Sequence, residues 1–94
     1  MHITTYLIQR QIKKEEYIDI FTHNVKWLRI KHGLSVKQMS TILNTTMLTV
    51  EIMERGILPE EIKTDILFEI CKHFNITINL LTEVKLTNYL FEIE

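Results

Sequence analysis

Alanine is missing from this chain, proline occurs once and glycine twice, and there is a single cysteine, Cys71. One cysteine excludes an intramolecular disulfide and any zinc site built from several cysteines, and it points to a reducing compartment. No stretch approaches the roughly 18 consecutive apolar residues that a membrane span needs. The early polar residues at the N-terminus leave no apolar core for a signal peptide, so a cytoplasmic protein is expected. Charge of one sign is lacking too: the formal net charge is -1, which removes the global basic signal of many nucleic-acid binders. His2, His23, His32 and His73 do not fall at metal-ligand spacings, and there is no glycine-rich phosphate loop and no nucleophile elbow. Neither an enzyme nor a bound cofactor or metal is expected.

What remains is a chain of 94 residues, 46% hydrophobic, enough for one domain with a modest core. Charge is unevenly distributed. Residues 21 to 56 carry Lys26, Arg29, Lys31, Lys37 and Arg55 against Glu51 and Glu54, a surplus of +3. Residues 57 to 94 carry three lysines against Glu60, Glu61, Asp65, Glu69, Glu83, Glu92 and Glu94, a deficit of -4. A basic middle and an acidic C-terminal part fit a nucleic-acid face on one side only.

The periodicity predicts helices. Phe21, Val25 and Leu28 recur at i, i+4 and i+7, and Gly33 stops that first helix. Ser35 with Gln38 has capping-box spacing, and Val36, Met39 and Leu43 with small Ser40 form the inner stripe of a short second helix. Asn44 suits a left-handed turn. Thr45 or Thr46 caps a third helix that runs to about Arg55 and ends at Gly56. A fourth helix opens on Pro59 and two acids and buries Ile62, Ile66, Leu67, Ile70 and Phe74, and Thr77 caps a short fifth helix through Leu80 and Leu81. The ends, "HITTYLI" and "NYLFEIE", are rich in β-branched and aromatic residues. They read as strands, paired within a chain or across a dimer, or as a helix running on from Leu81.

The order of these elements and the residues at their joints resemble the lambda-repressor-like helix-turn-helix family, the Cro/repressor type. The likeness runs from about Phe21 to Leu81 and rests on Leu28, Arg29, Gly33-Leu34-Ser35, Met39-Ser40, Glu54-Arg55-Gly56 and the stretch "CKHFNIT". It implies an all-α, five-helix domain over residues 20 to 82. Residues 1 to 19 are then an N-terminal extension packing on helix one, and 83 to 94 a C-terminal extension, possible dimer element or β-paired segment. It also implies a partly buried ion pair between Arg29 and Glu54 that locks helix one to helix three, and a small packing role for Cys71.

The resemblance further implies a transcriptional regulator that reads DNA with helix three. The candidate site is Val36, Lys37, Thr46, Met47, Leu48, Thr49, Glu51, Ile52 and Arg55. Hydrogen-bonded base readout needs amides or guanidinium groups; at Val36, Met47, Leu48, Thr49 and Ile52 only Thr49 has a donor. Apolar side chains there can touch thymine methyl groups, while Lys26, Lys31, Lys37 and Arg55 hold phosphates. The rival expectation is a regulatory protein partner on the same face, in the manner of an anti-repressor or co-repressor, because a contiguous apolar patch marks protein interfaces. A homodimer is expected to set two copies of helix three about 34 Å apart, one DNA turn. Trp27 and Ile30 lie off the inner face of helix one, where the N-terminal extension covers them or a dimer contact does.

Overall fold

The computed structural model describes residues 13–59 and 64–87. Five helices are assigned among them: α1 (Lys14–Lys31), α2 (Val36–Ile42), α3 (Met47–Glu54), α4 (Thr64–Phe74) and α5 (Ile78–Glu83). The described residues contain no strand, and the two terminal stretches read as strands or helix lie outside them, apart from the residues up to Thr87 treated below. No helix among the described residues is long and apolar enough to cross a membrane.

Each of the first four helices ends by the same device. Gly33 (φ 66°), Asn44 (φ 57°), Gly56 (φ 90°) and Asn75 (φ 57°) all take the left-handed conformation, which only glycine and, at small cost, asparagine adopt readily. The residue after each returns its N–H to the carbonyl five positions back: Leu34 to Arg29 at 2.9 Å, Thr45 to Ser40 at 2.9 Å, Ile57 to Ile52 at 3.3 Å and Ile76 to Cys71 at 3.1 Å. This is the Schellman closure, which satisfies carbonyls that a helix end leaves bare. The starts are equally specified. The Ser35 hydroxyl accepts from Gln38 N at 3.0 Å and the Gln38 side chain accepts from Ser35 N at 2.8 Å. Thr77 accepts from Leu80 N at 3.2 Å.

Helix α1 is longer than its apolar periodicity predicts. It starts at Lys14 rather than near Phe21, so Lys14 to Asp19, assigned from the sequence to an extension, are its first turns. Most of these residues are exposed, so they carry no apolar period; the turn is held by Glu15 and Glu16 at the positive end of the helix dipole and by Glu16 Oε1 accepting from Lys13 N at 3.1 Å. Farther along, Phe21, Val25 and Leu28 enter a core with Met39, Leu43, Val50, Met53, Ile66, Ile70, Leu81 and Leu86. Helix α1 packs on α3 and α5, α2 on α3 and α4, and α4 on α5. Trp27 is half-buried against this core with the Lys31 ammonium 5.8 Å from its ring, whereas Ile30 stays exposed.

The C-terminal boundary shifts as well. Residues 84–87, read from the sequence as the beginning of an extension, return across α1 and contribute fully buried Leu86 to the core. Asn24, also fully buried, organises this return. Its Nδ2 donates to the carbonyls of Leu81 at 2.7 Å and Val84 at 2.8 Å, and its Oδ1 accepts from Leu86 N at 2.9 Å. One side chain thereby closes the end of α5, where backbone carbonyls lack helical partners, and fixes the next turn of chain. His23 Nε2 lies 2.7 Å from Thr87 Oγ1 and the Lys85 ammonium 3.5 Å from Asp19, both on the same side of α1.

Candidate functional site

Two short helices joined by four residues, Leu43 to Thr46, form the unit that presents the candidate site. Asn44 makes the turn in the left-handed conformation and Thr46, in extended backbone, is the N-cap of α3. The Thr46 hydroxyl accepts from Thr49 N at 3.1 Å and donates to Thr49 Oγ1 at 2.9 Å. Its proton is therefore used inside the cap. Val50 and Met53 are fully buried and fix the rotation of α3 about its axis.

That rotation leaves Met47, Glu51, Arg55 and Leu48 within an arc of about 100°, and all four are exposed. Met47 is 45% and Leu48 61% exposed. Arg55 caps the C-terminal end of the helix, about 12 Å along the axis from Met47 at about 1.5 Å per residue. The arc therefore has an apolar and acidic N-terminal half and a cationic far end. Lys37, on the first turn of α2, is exposed.

Two members of the expected apolar patch are drawn inward. Val36, the first residue of α2, is half-buried against the core cluster, and Ile52, on the flank of α3, is half-buried. Thr49 is half-buried and tied to Thr46. The exposed apolar surface of α3 is thus Met47 and Leu48, a narrower patch than four neighbouring side chains would make.

An ion pair ties the frame behind this face together. Arg29 of α1 donates from Nε to Glu54 Oε2 at 2.6 Å and from Nη2 to Glu54 Oε1 at 3.0 Å, and its Nη1 donates to the Leu34 carbonyl at 2.9 Å. A two-pronged pair of this kind fixes direction as well as distance, and both side chains are largely shielded, at 17% and 10% exposure. The hydrogen bond to Glu54 raises the Arg29 pKa above its ordinary value, against an opposing effect of burial and with help from the Glu54 charge. One ion pair ties the end of α1, the α1–α2 loop and the last turn of α3 together. On α4, burial pushes the Cys71 thiol pKa up, so the residue stays a neutral, half-buried packing group.

Sequence reasoning overlooked two residues. Asn24 lies three positions after Phe21 and one before Val25, on the inner face; a polar residue inside an apolar stripe is the signal for a buried hydrogen-bonding role. Phe68, 62% exposed on α4, borders an open cleft against the α2–α3 turn together with Asn44, Thr45, Asp65 and Glu69. Among the described residues no group of three or more histidines, cysteines or acids is arranged to hold a metal ion. No family model, curated protein or solved structure matches this chain, so the functional reading rests on its own residues.

Proposed function

We propose that the chain is a DNA-binding regulator of the helix-turn-helix kind, similar to the lambda-repressor-like family, with α3 as the helix that enters the major groove. The observation that carries the reading is the exposed arc of Met47, Leu48, Glu51 and Arg55, held by a capped α2–turn–α3 unit and locked from behind by Arg29 and Glu54. A short helix fixed at both ends and presenting its N-terminal half outward has the shape that groove recognition needs. Arg55 and Lys37 neutralise phosphate charge, and the apolar side chains contact base edges. With few cations in play, affinity is modest and salt-sensitive.

The rival reading, a regulatory protein partner on the same face, is favoured by the exposure of Met47 and Leu48. Two partly exposed side chains supply much less than the about 800 Å² per partner of a standard protein interface, so such a partner needs surface well beyond α3. A titration of labelled random-sequence and genomic duplexes at low and moderate salt decides between them. The DNA reading expects salt-dependent binding that Met47→Glu with Leu48→Glu abolishes. Absence of binding even at low salt, with the same variant losing a co-purifying protein, sinks it.

A further inference from the structure

The outward half of α3 has an unusual chemistry for base reading: two exposed apolar side chains flank an exposed carboxylate, and the hydroxyl of Thr49 beside them is half-buried. Met47 and Leu48 are exposed on either side of exposed Glu51, and the Thr46 hydroxyl proton is already given to Thr49. In the major groove each base offers a distinct edge. Guanine shows two acceptors; adenine pairs its amino donor with the N7 acceptor; thymine shows O4 and a C5-methyl group; cytosine shows only the N4 amino donor. A carboxylate is repelled by acceptors and satisfied by cytosine N4–H, and methionine and leucine are satisfied by a methyl group. The one edge that supplies both, an amino donor beside a C5-methyl, is 5-methylcytosine.

Resting on the DNA-binding reading above, we infer that α3 selects duplex DNA by the C5-methyl groups of pyrimidines, with Glu51 directing the preference to 5-methylcytosine over thymine. Met47 and Leu48 bury the methyl group, Glu51 accepts from the adjacent N4–H, and Arg55, about 12 Å farther along the helix, reaches a phosphate. Purine-rich edges place acceptors against Glu51 and are disfavoured. Exposed apolar residues on a recognition helix are then the reading groups themselves.

The test needs no knowledge of a target sequence. Four random-sequence duplex pools are prepared, containing thymine with cytosine, uracil in place of thymine, 5-methylcytosine in place of cytosine, and both replacements, and each is titrated against the whole chain at low salt. Replacing thymine by uracil removes only methyl groups. It is expected to weaken binding about fourfold, the effect of one methylene-sized apolar group per contact. The 5-methylcytosine pools are expected to bind more tightly than their unmethylated counterparts by a larger factor, so that the pool with uracil and 5-methylcytosine outbinds the pool with thymine and cytosine. Glu51→Ala, which alters an exposed side chain, keeps the thymine-over-uracil difference and loses the preference for 5-methylcytosine over thymine. Leu48→Ala reduces both, and circular dichroism of each variant reports that the fold is kept. Equal, salt-dependent binding to all four pools overturns the methyl inference and leaves DNA binding standing. Failure to bind any pool overturns the DNA reading itself and the inference with it.

Discussion

Asn24 and Glu51 are both polar residues within helices, and the protein uses them in opposite ways. Asn24 is fully buried and directs both its amide donors and its oxygen to backbone groups of the α5 end and the returning chain. Glu51 is exposed between Met47 and Leu48. The interior along α1 is therefore satisfied from within, whereas the outward face of α3 holds a carboxylate and two exposed apolar side chains.

This contrast predicts a steep division of mutational effects. Met53→Ala, which empties a fully buried site on the inner face of α3, should destabilise the protein by about 3 kcal/mol in denaturant titration. Asn24→Ala should lose about as much, because three backbone groups are left in the interior without partners. Amide exchange should then accelerate at Leu86 while α2 and α3 keep their protection. Arg29→Ala should lose about 2 kcal/mol, less than a fully buried pair loses because both side chains retain some exposure. Replacing Arg29 and Glu54 together by apolar residues should restore part of that loss, which a double-mutant cycle measures.

The Cys71 thiol supplies a pH test of the interior. Burial raises its pKa above the ordinary 9.0. The neutral form is thus favoured in the folded state, and the corresponding stability is complete below the unfolded pKa and fades as pH rises through the higher folded value. Alkylation should therefore respond to alkaline pH later in the native protein than in urea, with the two profiles separating above pH 9. At the small end of the scale, Leu48→Ala should change stability by less than about 0.5 kcal/mol. A larger loss would mean that α3 buries the side chain and that the division between the two faces is wrong.

Much of the frame was legible because its signals are local. Ser35 with Gln38, Thr46, Thr77, Gly33, Asn44 and Gly56 announce helix ends through their own backbone and side-chain chemistry, and each ends or begins a helix in the structure. The start of α1 was not legible, since its first turns project past the core and carry no apolar period. The docking of residues 84–87 was illegible for a different reason. It depends on contacts from Asn24 more than 50 positions away in the chain, and no local pattern announces them. At the candidate site, exposure was not legible at every position. Val36 and Ile52 sit at the boundary between inner and outer arcs, where packing decides exposure; both are half-buried, and Val36 packs against the core.

The central proposal is that the outward face of α3 binds DNA. The most direct measurement is a fluorescence-anisotropy titration of a labelled duplex pool at two salt concentrations with the unaltered chain and with Met47→Glu, Leu48→Glu, each checked for unchanged unfolding midpoint. The account predicts salt-sensitive binding by the unaltered chain, none by the variant, and equal stability of the two. Binding unaffected by the double substitution, or absent from the unaltered chain at low salt, would contradict it.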